Sequence, residues 1–395
     1  MPSTLPLRAN LEWLKKTCKE RLDALRASDA SARLADAQLA VAREYGFPSW
    51  RALKEEVDLR RQRLELLLPG GRASAKEAAA IAPDDPELAQ LLKAVQAGDV
   101  KTAGELLTRR PALAAARGPQ GQTPLHVAAE CDDSRLGAYL VALGADLEAK
   151  FGESGHTPLS WAVTCHALDF ARAMQKLGAK PDFFCAAGMG DLETVRACFD
   201  ENAALRPGAS RTGSSRFARD GSRLSCPPAT AREQISDALV IACRNAHAEV
   251  VRELLRHDPD LGFRSFMGGS ALHWAHYGGS HEVIAMLEGA GADRNSRDNA
   301  LGCTPRAFGI CTPASWGFVT LVRTRLDADP SLARYTDGHT SALHEAAREG
   351  SVAVVQLLLE RGADPGLKNG DGRTAAELAA EGGHAEVVEL LRAGG

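Results

Sequence analysis

Residues 340–365 read TSALHEAAREGSVAVVQLLLERGADP, and this stretch decides the fold of the chain. Its first half, Ser341–Gly350, predicts a short helix with small residues at its centre, where a neighbouring helix can pack closely. The second half is more apolar over residues 352–359 and predicts a second helix. Gly362 ends that helix, because a left-handed residue is required just beyond a helix C-terminus. The stretch therefore predicts a helical hairpin that needs a copy on each side to bury its apolar face.

Copies of this hairpin recur along the chain. Four-residue openings similar to Ser341-Ala342-Leu343-His344 start at Thr123, Thr157, Ser270, Thr304 and Thr374. The openings at 123 and 157, at 270 and 304, and at 341 and 374 lie 33 or 34 residues apart. Gly-Ala-Asp or Gly-Ala-Lys triplets mark the ends of second helices at Gly144, Gly178, Gly291 and Gly362. A period near 33 with a TPLH-like opening is typical of ankyrin repeats. The chain therefore resembles ankyrin-repeat proteins over residues 87–395, which implies an all-α solenoid of helical hairpins.

Composition limits the class of protein. Of the 395 residues, 45% are hydrophobic and 25% are charged, as in soluble folded proteins. The net charge of −4 is too small to indicate a membrane or nucleic-acid partner. No secretory signal and no run of 18 apolar residues is present, and the nine cysteines form no CxxC pair. These features predict a cytoplasmic protein with reduced thiols and no metal or other cofactor.

Three ranges are predicted as domains. Residues 1–68 form an N-terminal helical unit, residues 69–86 form a linker, and residues 87–395 hold about nine ankyrin repeats. Residues 34–57 resemble a segment that precedes the repeats of uncharacterised bacterial ankyrin proteins, so the resemblance implies a bacterial source. It implies no activity for this unit. The unit could cap the end of the stack, since terminal repeats need a solvated outer face.

Two irregularities interrupt the array. Residues 206–233 are an insertion with six arginines against two acidic residues, and their glycine, serine and proline content opposes a regular element. The repeat at 303–340 is also irregular. Three interpretations of the insertion stay open: a solvated loop, a segment that folds over the repeats and binds an anionic ligand, or an RNA contact, which lacks the aromatic residues expected for it.

Histidines follow the leucine of several repeat openings, at His126, His273 and His344. In ankyrin-like repeats this histidine bonds backbone between neighbouring repeats, so the resemblance implies a structural role. A metal site from His273, His276 and His281 is the alternative. It lacks an acidic residue at ligand spacing and lacks an HExxH-type motif. His276 is unusual because alanine stands at this position in the repeats that open at Thr123 and Ser341.

The resemblance also implies which positions face the concave groove, namely the two residues after the paired small residues of each first helix. These are Glu130, Cys131, Thr164, Cys165, Gly188, Met189, Arg244, Asn245, Tyr277, Gly278, Cys311, Thr312, Arg348 and Glu349. Trp161, Trp274 and Phe308 lie nearby in their helices and either pack between repeats or line the groove, with packing favoured because large aromatic rings bury area.

The candidate binding residues combine the groove with the insertion. They are Trp161, Cys165, Arg211, Arg216, Arg244, Asn245, Trp274, His276, Tyr277, Arg306 and Cys311. The leading hypothesis is a scaffold that binds a protein or peptide partner in the groove and at the finger tips, without chemistry of its own.

The alternative is an enzyme or a small-ligand or metal-binding protein, with a pocket made where residues 206–233 close over the central groove. No catalytic motif supports it. A nucleophilic thiol at Cys226, Cys303 or Cys311 would need a cationic neighbour or helix N-terminus. A third hypothesis is a purely structural part of a larger assembly.

Overall fold

The computed structural model describes residues 11–29, 31–55, 57, 75–214, 216–217, 222–224 and 228–393. The chain divides into two compact units, Met1–Pro181 and Asp182–Gly395. This division falls inside the range predicted to hold the repeats.

The first unit opens with helices that do not repeat, α1 (Leu11–Ser28), α2 (Leu34–Glu44) and α3 (50–55). Apolar residues spaced by about one helical turn meet in a small core, which holds Leu14 and Cys18 of α1, Val41 and Ala42 of α2, and Leu53 of α3. The described part of the predicted N-terminal unit is therefore a packed helical cluster.

A short helix, α4 (Ala75–Ala79), lies inside the range predicted as a linker. It contacts the 3-10 turn Pro111–Ala115 of the first repeat, and Ala78 on it is buried. The C-terminal part of this range therefore packs against the repeats, while residues 69–74 lie outside the described residues.

Three helical hairpins complete the first unit. They are α5 (Pro86–Gln96) with α6 (Val100–Arg109), α7 (Pro124–Glu130) with α8 (Ser134–Leu143), and α9 (Pro158–Thr164) with α10 (Leu168–Lys176). The first helices pack on one another in the order α5, α7 and α9.

Six hairpins build the second unit. They are α11 (Phe183–Met189) with α12 (Leu192–Ala197), α13 (Ala231–Arg244) with α14 (Ala248–Leu254), α15 (Ala271–Gly278) with α16 (His281–Gly289), α17 (Pro305–Ser315) with α18 (Val319–Ala328), α19 (Ala342–Arg348) with α20 (Val352–Glu360), and α21 (Ala375–Glu381) with α22 (Ala385–Ala393). The six first helices pack side by side in sequence order and form what is called here the inner row; the second helices form the outer row.

The framework histidines join each hairpin to the next one. The His126 ring accepts a hydrogen bond from the Thr123 backbone amide at Nδ1, and its Nε2–H donates to the His156 carbonyl at 3.1 Å. The His273 Nε2–H donates to the Cys303 carbonyl in the same way, also at 3.1 Å. These bonds satisfy buried polar groups and confirm the structural interpretation of these residues.

The irregular repeat contains a lengthened inner helix. Helix α17 has 11 residues where α19 has seven, so it is about one turn longer. Gly317 lies two residues beyond the last residue of α17, and its φ of +70° matches the +71° of Gly350, which lies two residues beyond α19. The additional residues of this repeat are therefore accommodated within α17, which continues through Pro313.

The insertion lies between α12 and α13, where other repeats carry a short finger. Its described residues include a two-residue antiparallel pair, β1 (Arg216–Phe217) and β2 (Arg223–Leu224). This pair and four isolated bridges in the fingers are the β structure of the described residues. The fold is otherwise all-α, as predicted.

Two buried carboxylates anchor the insertion to the inner row. One Asp182 carboxylate oxygen accepts three hydrogen bonds at 2.7 Å, from the Arg211 and Thr212 amides and the Thr212 hydroxyl. Asp237 accepts from the Ser214 amide at 2.9 Å and from its hydroxyl. Residues 211–214 are thus held against α11 and α13.

Candidate binding surface on the inner row of the second unit

Aromatic rings gather at the C-terminal ends of two neighbouring inner helices, α15 and α17. Tyr277 and Trp316 lie with ring centroids 5.8 Å apart, and Phe318 packs edge-on against Trp316 at 5.5 Å. Phe266 joins them from the preceding finger, 6.3 Å from Trp316. These four rings, together with the guanidinium of Arg244, are called the aromatic patch below.

A buried tryptophan supports the patch from beneath. Trp274 is 1% exposed, and its ring contacts Tyr277 at 5.2 Å and Phe308 at 5.1 Å. Phe308 is fully buried as well. Both residues therefore pack between repeats, as the sequence favoured, and they fix the rings above them rather than line the surface themselves.

Arg244 extends the aromatic patch with a positive charge. Its guanidinium carbon lies 4.9 Å from the Trp274 ring centroid and 5.4 Å from that of Tyr277. Both distances are within the range of a cation–π interaction, which contributes roughly 0.5–1 kcal/mol at an exposed site. The predicted residues Arg244, Trp274 and Tyr277 are thus brought together in one place, but Tyr277 is only 7% exposed, so the prediction that it faces the groove openly is wrong.

The repeat pattern does not predict Trp316 and Phe318 as surface residues, because α17 is longer than the pattern allows. The expected groove positions Cys311 and Thr312 are buried at 1% and 0% exposure, so that prediction is wrong. With the additional turn, Ser315 and Trp316 take those positions. Gly317 is the residue in the sequence that indicates the longer helix, because it follows α17 as Gly279 and Gly350 follow the corresponding helices.

Several other predicted surface positions serve packing. Asn245 is buried, and its side-chain amide donates to the Gly188 carbonyl at 2.8 Å, so it is not available to a partner as predicted. Thr164 and Gly188 are buried too. At these points the neighbouring inner helices pack closely enough to enclose a predicted groove residue, whereas Glu130 and Arg348 are exposed.

Cys311 is unsuited to nucleophilic chemistry. A contact with the Cys303 thiol and complete burial raise its pKa well above the ordinary value of 9. A reactive cysteine needs the opposite, a pKa lowered by positive charge. Cys303 is buried as well, and Cys226 lies outside the described residues.

The predicted residues of the first unit occupy its own inner helices. The Trp161 indole N–H donates to the Glu130 carboxylate at 2.9 Å, and its ring packs edge-on against Phe151 at 5.2 Å. Cys165 is half-buried at the end of the same helix. Trp161 therefore spans two repeats of this unit and leaves part of its ring at the surface.

The insertion contributes backbone rather than defined side-chain geometry to this region. The Arg211 amide bonds Asp182, as described above, and its side chain is exposed. Arg216 lies in β1, and its side-chain surroundings fall outside the described residues. β1 contacts the 3-10 turn Phe266–Gly268, which places the strand pair beside the finger that carries Phe266.

His276 and Arg306 lie apart from the aromatic patch. Both line a cavity of about 290 Å³ whose lining includes none of the described residues of 206–233, in contrast to the predicted pocket under the insertion. Within the described ranges, no group of three or more His, Cys, Asp or Glu side chains has the arrangement of a metal site. No described helix combines the length and apolar character needed to span a membrane.

Comparisons with known proteins agree with this architecture. The family model described as "Ankyrin repeats (3 copies)" matches residues 91–185, 223–298 and 314–395, which is more than half of the chain.

Curated relatives match part of the chain. A probable E3 ubiquitin-protein ligase of Oryza sativa subsp. japonica, XBOS33, is 41% identical over 95 residues, covering 24% of this chain and 18% of that protein. The tyrosine-protein kinase HTK16 of Hydra vulgaris is 33% identical over 156 residues, covering 39% and 20%. The chain thus spans about a fifth of the length of these relatives. The hairpins, the framework histidines and the family match lead to one conclusion: the chain belongs to the ankyrin-repeat family.

Proposed function

We propose that the chain is a protein-binding scaffold and that the aromatic patch of the second unit holds a peptide segment of its partner. The observation that carries this proposal is the exposure of Phe318, which is 47%, next to the half-buried Trp316. Large aromatic side chains at a surface are the usual energetic anchors of protein interfaces.

The arrangement of the patch suits an apolar anchor. Trp316 and Phe318 meet edge to face, and Tyr277 and the Trp274 beneath them are held by packing. Rings fixed in this way lose little conformational freedom on binding, which favours affinity. The expected occupant is an aromatic or branched aliphatic side chain of an extended or helical peptide.

Membership of the family supports this role, because ankyrin-repeat proteins act as protein-binding scaffolds. The ligase and kinase activities in the names of the relatives are those of the relatives, and each match covers only about a fifth of the relative. The enzyme alternative has no support from Cys311, since the Cys303 contact and burial raise its pKa, nor from Cys243, whose pKa is raised by burial.

Finer points remain proposals. Trp161 and Cys165 form a second contact region in the first unit, and the arginines of residues 206–233 attract an anionic ligand. The protein works in the cytoplasm, which the eight free cysteines of the described residues support. A bacterial source rests on the N-terminal resemblance, while the relatives named above are eukaryotic.

A peptide-display selection tests the proposal. The wild-type chain is used to select peptides from a random library, and each selected peptide is titrated against Trp316→Ala and Phe318→Ala. Affinity should fall at least about tenfold in either variant, because truncating an interface anchor costs more than about 1.4 kcal/mol. Val100→Ala is the matched control, since Val100 is an apolar residue with 62% exposure in the first unit. Peptides that bind both patch variants as tightly as wild type would rule the patch out.

A further inference from the structure

A second site lies among α15, α16, α17 and α18, and no residue of the aromatic patch belongs to its lining. Helices α15 to α18 and the turn after α18 enclose the cavity of about 290 Å³ mentioned above, near the lower limit of small-molecule sites. Its lining includes His276, His281, Glu288, Arg306, Arg325 and Asp329. In the outer row α14 packs on α16, and α18 packs on α20. The cavity lies between α16 and α18, the two outer helices that separate these pairs.

The central feature of the cavity is the partly buried guanidinium of Arg325. One Arg325 Nη donates to the Tyr277 carbonyl, and the group fits against Gly279, where any Cβ would overlap it. Its Nε is buried and has no hydrogen-bond partner among the described residues. Burial lowers the pKa of Arg325, which reports how poorly its charge is solvated.

The acidic residues of the lining do not compensate this charge. Glu288 pairs with Arg294 at 2.7 Å, and Asp329 pairs with Arg306 at 3.0 Å. Within the described residues, Arg325 forms no ion pair with any carboxylate. A buried charge without a counter-ion is costly, so an anion bound here would be strongly favoured.

An imidazole without a hydrogen bond faces the same cavity. His276 stands where other repeats have alanine, and Gly309 of α17 packs against its backbone and Cβ, since a Cβ at Gly309 would lie 2.8–2.9 Å from these atoms. No hydrogen bond to the His276 ring forms within the described residues. Burial lowers its pKa to about 4, with the Glu288 charge acting in the opposite direction.

We propose that this cavity binds a small molecule carrying a carboxylate or a phosphate, with Arg325 and His276 as its oxyanion donors. Capping the C-terminus of α15 accounts for only one of the five N–H groups of Arg325, the one that meets the Tyr277 carbonyl. Two oxygens of a carboxylate or a phosphate match the remaining fork of donors. His276 then supplies a further donor once the bound anion favours its protonated form.

The test is thermal unfolding of the full chain with sodium phosphate, with sodium succinate, and with sodium chloride at equal ionic strength. We expect phosphate or succinate at about 10 mM to raise Tm by roughly 3 °C, as for a ligand with a Kd near 1 mM. The rise should disappear in Arg325→Gln and persist in Arg323→Gln, an exposed arginine of the same helix outside the cavity. A rise with succinate alone identifies a carboxylate ligand, and a rise with phosphate alone identifies a phosphate ligand.

Two results would overturn the proposal: no rise with either anion beyond that with chloride, or an equal rise in Arg325→Gln. If that variant does not fold, His276→Ala replaces it and should halve the rise or remove it. NMR titration of the His276 ring gives a second readout, because a bound anion should shift its pKa upward by one unit or more. An unchanged titration in saturating anion contradicts the assignment of His276.

Discussion

Burial keeps three histidine side chains of the inner helices in the neutral form. Burial lowers the pKa of His273 to about 3 and that of His126 to about 4, although each ring donates to a backbone carbonyl. His276 has a similar pKa without such a bond. The unfolded chain binds protons near pH 6.5, so these residues take up protons when the protein unfolds in mild acid.

The lowered pKa of His276 makes the folded protein less stable in mild acid. Its folded pKa is about 4 and its ordinary value is 6.5, so the stabilising contribution is complete above pH 6.5 and is lost as pH falls toward 4. His276→Ala removes this loss. Urea unfolding of both proteins at pH 7 and pH 5 should show a variant that loses about 2 kcal/mol less than wild type between the two conditions.

The control is His281→Ala, which changes an exposed histidine of the same cavity. It should lose as much stability as wild type over this pH interval. An identical pH dependence for wild type and His276→Ala would show that the His276 ring titrates normally in the folded protein.

Packing between elements depends on glycines at the closest helix contact of the second unit. Gly309 of α17 faces α15, and an added Cβ would lie 2.8 Å from the His276 carbonyl oxygen. Gly278 faces α13 in a similar way, 2.5 Å from the Cys243 carbonyl. In both places the crowded atom is backbone, which cannot rotate away.

Gly309→Ala should therefore destabilise the second unit by about 1–3 kcal/mol, the usual cost of overpacking. Gly289→Ala at the end of α16 is the matched control, since its added methyl group meets no atom within 4 Å and its φ is not positive. That variant should be neutral or slightly more stable. Thermal unfolding of the two proteins decides between these outcomes, and equal stability would refute the close contact.

The insertion is expected to depend on its buried carboxylate anchor. Asp237→Asn keeps the shape of the side chain but weakens the acceptor for the Ser214 amide and hydroxyl. Trypsin should then cleave the arginines of residues 206–233 at least several-fold faster, as followed by mass spectrometry.

Asp327→Asn, an exposed residue paired with Arg361, should leave that rate unchanged. Equal cleavage rates in Asp237→Asn and wild type would mean that this contact does not hold the segment.

Sequence periodicity predicts most elements, and its failures have physical causes. The recurring openings and Gly-Ala-Asp triplets place the hairpins because each repeats the same local chemistry. Pro313 opposes a helix by its missing N–H, yet α17 continues through it. Pro313 is buried between the neighbouring inner helices, and this tertiary packing overrides the local preference.

At the scale of the whole molecule, nine hairpins among the described residues share one framework and differ in what they expose. The framework histidines and paired small residues can be read from the repeat, and so can most inner-helix positions. The aromatic patch could be predicted only in part, because Trp316 reaches it through the additional turn of α17. The partner side chain that fits it depends on ring geometry, which no repeat pattern encodes.

The most direct test of the account is hydrogen exchange of the full chain with and without a peptide selected by display. Added protection is predicted in residues 243–246, 266–278 and 314–318, with little change in the outer helices α14, α16 and α18. Protection concentrated in those outer helices, or confined to the first unit, would contradict the claim that the aromatic patch is the binding surface.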